Sequence, residues 1–246
     1  MGEAIIFGVI ASSALVIGGV AGAYWRPPEA VIGILLAFAS GALISALSFE
    51  LFTDAFELGG ATRSGIGLLA GATAFVVANA LLDRKVTGSA KPDQSDKVSA
   101  ASRGPGGIGF ALLAAVTLDG VPENLALGVS LVDDASLTLL VAIFFSNFPE
   151  SLVGAVAMRE EGRSPRAVIG LWVVVAVLLA VAVVVGRAAL DGVSDQALSF
   201  YLSFAGGAVL ASLADTLMPE AFAHGRPYNA FATCAGFFVS FVLAVG

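Results

Sequence analysis

Apolar runs long enough to cross a bilayer as helices fill most of this chain, and that constrains its fold more than any other feature. Eight can be placed, at roughly 3–24, 29–56, 64–82, 108–131, 136–159, 165–190, 196–221 and 227–246. With 58% of residues hydrophobic and 13% charged, a water-soluble globular fold is excluded. The expected class is an all-α integral membrane protein of eight transmembrane helices. The first run follows only Met1, Gly2 and Glu3, without a basic segment, and reads as a retained span.

The loops between the runs differ sharply in positive charge. Arg26, then Arg84, Lys85, Lys91, Lys97 and Arg103, then Arg159, Arg163 and Arg166, and finally Arg226 fall on one side; Arg63 and Arg187 fall on the other. The positive-inside rule puts the richer side in the cytoplasm and both termini outside, in a plasma (inner) membrane. A missed span would scramble this alternation. The segment 84–107, polar, rich in Gly, Ser and Pro and free of aromatics, reads as a flexible cytoplasmic loop within a single transporter domain spanning 1–246.

Two internal similarities organise the chain. "FASGALISALSFELFTDAF" (38–56) aligns without gaps to "FAGGAVLASLADTLMPEAF" (204–222), matching at 8 of 19 positions and bringing Asp54 into register with Glu220. "DGVPENL" (119–125) aligns to "SNFPESL" (146–152), with Pro, Glu and Leu in common. Spans 2 and 7 cross in opposite directions, as do spans 4 and 5. The expected architecture is therefore a 3+2+3 inverted-repeat helical bundle, a design that places substrate near the midplane where the halves meet.

The midpoints of spans 4 and 5 fall among acids and amides: Asp119, Glu123, Ser146, Asn147 and Glu150. A carboxylate at that depth costs roughly 2.5–3.5 kcal/mol, so several together call for partners or a cavity. Asp119 and Glu123 are four residues apart, as are Ser146 and Glu150, and each pair shares a helix face. Pro122 and Pro149 each remove an amide donor and free a carbonyl one turn earlier, at Leu118 and Phe145. An excess of oxygen donors without nearby cationic side chains suits a divalent metal ion. Read structurally, the prolines would only kink two helices and the acids would be protonated packing groups.

Glu50 and Asp54 in span 2, and Asp215 and Glu220 in span 7, flank that centre from the external and cytoplasmic sides and form a candidate ion pathway. The single Cys234 and single His224 exclude an intrachain disulfide and a Cys/His zinc cluster. Small-residue strings such as "SGALISA" (40–46) and "AGGAVLAS" (205–212) indicate close helix packing.

These residues resemble the ZIP family of divalent-metal transporters, with eight spans, external termini, a variable cytoplasmic loop after span 3, and P-E motifs in spans 4 and 5. The resemblance implies a metal site on Glu123 and Glu150, with Asp119 and Ser146 where histidine is usual. It also implies zinc as the default cargo, imported into the cytoplasm. The departures are specific: Asn147 stands where an acid is usual, span 6 holds no acid, and the long loop lacks histidines. Oxygen donors in place of imidazole make manganese, iron or magnesium plausible cargo.

Three alternatives stay open at this level. A family member without its histidines could bind metal without transporting it. The architecture could carry protons, sodium or an organic cation instead. An intramembrane enzyme is disfavoured, because the protease motifs YD with GxGD, HExxH and a Ser/His pair are absent. The chain reads as not an enzyme and as needing no cofactor beyond its metal substrate. The expected partners are the metal ion and the lipid bilayer, with no nucleic acid; a homodimer is compatible with the sequence.

Overall fold

Serine opens three of the helices. Ser136, Ser164 and Ser194 each accept a hydrogen bond from the backbone N–H three residues ahead, at Leu139, Ala167 and Ala197, satisfying donors that a helix start leaves orphaned. In the computed structural model, which describes residues 1–86, 120–132 and 136–245, the described residues are helical and contain no strand.

The helices are α1 (Gly2–Tyr24), α2 (Glu29–Ala46), α3 (Phe52–Val86), α4 (120–130), α5 (Leu137–Glu160), α6 (Pro165–Ala189), α7 (Asp195–Ser212), α8 (Met218–Gly225) and α9 (Asn229–Val245). Among the described residues, five stretches are apolar and long enough to cross a membrane: Gly2–Tyr24, Glu29–Leu81, Leu137–Glu160, Pro165–Ala189 and Asp195–Gly225. Asn229–Val245 is apolar but shorter. Most of the run expected at 108–131, and the loop from 87 onward, lie outside the described residues.

The stretch Glu29–Leu81 is divided at Gly60, whose φ of 71° and ψ of 173° belong to a region open almost only to glycine. The chain reverses there, since Gly59 lies against Ser199 at the start of α7 while Gly67 and Gly71 run further along the same helix, against Phe200 and Phe204. The expected boundary between spans 2 and 3 falls at this residue.

Two π-helical segments are additions the sequence does not announce. Leu47–Leu51 joins α2 to α3 and Leu213–Leu217 joins α7 to α8. In each, the next residue's N–H reaches back five positions, Phe52 to Leu47 and Met218 to Leu213, which is the π pattern. The offset between the two segments is the one that aligns 38–56 with 204–222. It also relates α2 to α7 end for end.

Close contacts recur at repeat-related positions. A Cβ at Gly41 would overlap the Thr233 carbonyl oxygen, and one at Gly207 would overlap that of Leu68. Gly236 meets the Phe38 carbonyl as Gly71 meets that of Phe204. In the centre, Gly22 lies against the Leu152 carbonyl and Gly186 against that of Leu125. Thus α2 packs along α9 and α7 along α3, while α1 packs on α5 and α6 on α4. Removing the side chain lets backbones approach, which is how apolar helices gain packing contacts in a solvent that is itself apolar.

α2 runs antiparallel to the α7–α8 path: Gly33 touches Gly225, Gly206 touches Leu51 and Phe52, and Gly59 touches Ser199. Polar ties mark the molecule's ends. Arg26 pairs with Glu160 at 3.9 Å, Arg159 Nε donates to the Ala23 carbonyl at 3.1 Å, and His224 lies 3.5 Å from Glu29. Arg187 pairs with Asp191 at 3.0 Å on a different turn. Trp172 of α6 is fully buried, its ring filling the space that Gly19 and Gly154 leave open.

Candidate metal centre

Glu123 sits on α4 one residue beyond Pro122, and Glu150 sits on α5 one residue beyond Pro149. Both carboxylates are buried, Glu123 at 1% exposure and Glu150 at 8%. Between them stands Ser146, fully buried. Its Oγ lies 3.1 and 3.3 Å from the two oxygens of Glu123 and 3.0 Å from Oε1 of Glu150. A hydroxyl has one proton, so Ser146 can donate to one carboxylate at a time and offers its lone pairs otherwise. The result is a compact group of oxygen donors contributed by two helices.

The i, i+4 spacing brings Ser146 and Glu150 onto one face of α5, as the sequence requires. Asn147, one residue on, is turned about 100° away around the helix. Its Nδ2 donates to the Ala11 carbonyl of α1 at 3.0 Å, and its buried Oδ1 has no hydrogen-bond partner. The structure thus joins Asn147 to the α1 interface, while Glu123, Ser146 and Glu150 come together. Ser151 behaves like Asn147, with its Oγ 3.5 Å from the Ala14 carbonyl and bonded to Asn147 O at 2.8 Å. Asp119 lies outside the described residues. Among the described residues, no three His, Cys, Asp or Glu side chains converge.

The proposed pathway acids stand apart from this centre in the sequence and on other helices. Glu50 lies in the first π segment and is half-buried; Asp54 follows at the start of α3, also half-buried. Asp215 lies in the second π segment, where Asn79 Nδ2 of α3 donates to its Oδ2 at 2.6 Å. Glu220 is half-buried on α8, at the repeat position of Asp54. Asn79, a lone amide in an otherwise apolar span, joins the candidate residues through this contact.

The two halves differ beside α4. A cleft of about 360 Å³ opens between α3, α4, α6 and α7, lined by Phe75, Pro122, Leu125, Phe204, Ala205 and Ala208 among others. At the related position Phe38, counterpart of Phe204, packs edge-on against Phe145 of α5 at 5.4 Å between centroids, and Pro149 and Leu152 are buried where Pro122 and Leu125 are half-buried.

No protein-family model matches this chain, and no curated protein matches it either.

Proposed function

We propose that this chain carries divalent metal cations across a membrane, through the site formed by Glu123, Ser146 and Glu150. The observation that carries the reading is the meeting of two buried carboxylates, from two apolar helices, around one hydroxyl. Buried carboxylates are expensive unless something compensates them, and a cation bound between them does so. A substrate that neutralises its own site also gives the site a reason to lie where an ion must cross.

The architecture supports transport over static binding. The π segments, the end-for-end correspondence of α2 with α7, and the matched glycine contacts fit eight spans in a 3+2+3 inverted repeat. Spans 2 and 3 join at Gly60, and span 4 includes α4. In such proteins the two halves exchange conformations about a central site, alternately opening it to each side. The cleft beside α4, against the closed Phe38–Phe145 contact at the related position, is the kind of inequality that exchange requires.

The charge asymmetry of the loops orients the chain with both termini outside a plasma (inner) membrane, and the cargo moves into the cytoplasm. Asp119 and the acids Glu50, Asp54, Asp215 and Glu220 complete the proposed binding region and path, with Asn147 bracing α5 on α1 beside it. Zinc, manganese and iron lie within the cargo class, the bilayer is the obligatory surrounding, and a homodimer is compatible with this reading. The ZIP-like P-E motifs agree with it. The deciding experiment is uptake of a metal panel into proteoliposomes by the wild type and by Glu123→Ala with Glu150→Ala. Uptake by the wild type alone supports the reading; no uptake of any metal by folded wild-type protein refutes it.

A further inference from the structure

The donor atoms at the site are all oxygen: both carboxylate oxygens of Glu123, Oε1 of Glu150 and Oγ of Ser146. The question is whether a softer donor could join them, and for this chain it can be closed completely. The sequence has one histidine, one cysteine and three methionines. His224 ends α8 beside Glu29, 3.5 Å away. Cys234 is exposed on α9. Met158 is buried with Trp172 in the cluster formed by α1, α5 and α6, two turns beyond Glu150. Met1 and Met218 are exposed, at 58% and 40%. No imidazole, thiolate or thioether is left to complete the site from any part of the chain.

Resting on the transport reading above, we infer that this site takes hard divalent cations, Mn²⁺ among them, and gives Zn²⁺ no decisive preference. Zinc gains its usual advantage from nitrogen and sulfur ligands, whereas carboxylate and hydroxyl donors suit Mg²⁺, Ca²⁺ and Mn²⁺. Mg²⁺ gives up its waters reluctantly, which disfavours it at a buried site and leaves Mn²⁺ and Ca²⁺, both suited to oxygen ligands alone. The general order of affinities still favours Zn²⁺ over Mn²⁺ at any fixed donor set, so the signature is a narrowed ratio.

The test is Mn²⁺ uptake into proteoliposomes against increasing Zn²⁺, together with equilibrium dialysis of the detergent-solubilised protein against the same pair of metals. Half-inhibition of Mn²⁺ uptake is expected only when Zn²⁺ exceeds about a tenth of the Mn²⁺ concentration, with dialysis giving the same ratio. Ser146→Cys, which replaces one hard donor by a soft one of similar size, should move that ratio toward Zn²⁺ by about tenfold. Half-inhibition at lower Zn²⁺, or an unchanged ratio in folded Ser146→Cys protein, overturns the inference. Binding with the expected ratio but no uptake would refute transport while sustaining the selectivity; no binding of either metal would refute both.

Discussion

Glu123 and Glu150 face each other across the hydroxyl of Ser146, each within 3.1 Å of it, although 27 residues separate them along the chain. The hydroxyl fixes the spacing of the two carboxylates. Removing it as Ser146→Ala takes away a hydrogen bond to a charged group, an interaction of about 1.5–3 kcal/mol. Metal should then bind about tenfold or more weakly, read as a higher concentration for half-maximal uptake. An unchanged concentration dependence would mean that the serine is packing and the carboxylates position themselves.

The paired glycines provide a stability test that is independent of metal. Gly41→Leu and Gly207→Leu would each drive a side chain into the backbone of a neighbouring helix, at Thr233 and at Leu68. Each should lower stability by about 1–3 kcal/mol or more, and by similar amounts, because the contacts are repeat-related. Gly65→Ala on α3 meets nothing within 4 Å and should leave stability unchanged or raise it by up to about 1 kcal/mol. Thermal unfolding in detergent distinguishes the three; equal behaviour of Gly41→Leu and Gly65→Ala would contradict the packing described.

How much of this was legible in the sequence follows the physics of each feature. Apolar length reveals helices, and the P-E register identifies Glu123 and Glu150, because depth in a membrane makes an acid conspicuous. The placement of Asn147 was recoverable from helical spacing alone, since a residue next to Ser146 cannot share the face of Ser146 and Glu150. The π segments were not recoverable. LSFEL and LADTL share only their terminal leucines, and one additional residue in a turn leaves no compositional mark. The pairing of α2 with α9 and of α7 with α3 joins distant parts of the chain, and only the positions of small residues hinted at it.

Asn79 and Asp215 offer a test of the candidate pathway. Their 2.6 Å hydrogen bond ties α3 to the second π segment. Asn79→Leu removes the buried donor to an exposed carboxylate, which should cost about 0.5–1.5 kcal/mol of stability. If Asp215 conducts the ion, uptake should slow at saturating metal while binding measured by dialysis stays the same. A change in binding without a change in saturated rate would place Asp215 outside the path.

The proposed topology can be tested at the ends that the ion pairs mark. After Cys234→Ser removes the native thiol, a cysteine at Glu161, near the Arg26–Glu160 pair, should resist a membrane-impermeant reagent in intact cells. A cysteine at Asp191, next to the turn after α6, should react. Reaction at both positions, or at Glu161 alone, would contradict the assigned orientation.

The cleft beside α4 gives the sharpest test of conformational exchange. Ala205 and Ala208 line it on α7, opposite Pro122 and Leu125, which are half-buried, whereas the counterparts Pro149 and Leu152 are buried. Ala208→Phe fills space that is empty in this conformation, so it should fold, and added apolar contact should preserve or raise its melting temperature. If α4 must close against α7 for the site to open on the opposite side, the same side chain blocks that closure. Uptake should then fall at least tenfold while metal still binds by dialysis, because arresting an exchange removes flux without removing the site. Normal uptake by a well-folded Ala208→Phe protein would show that the cleft is filled by lipid tails throughout and takes no part in the cycle.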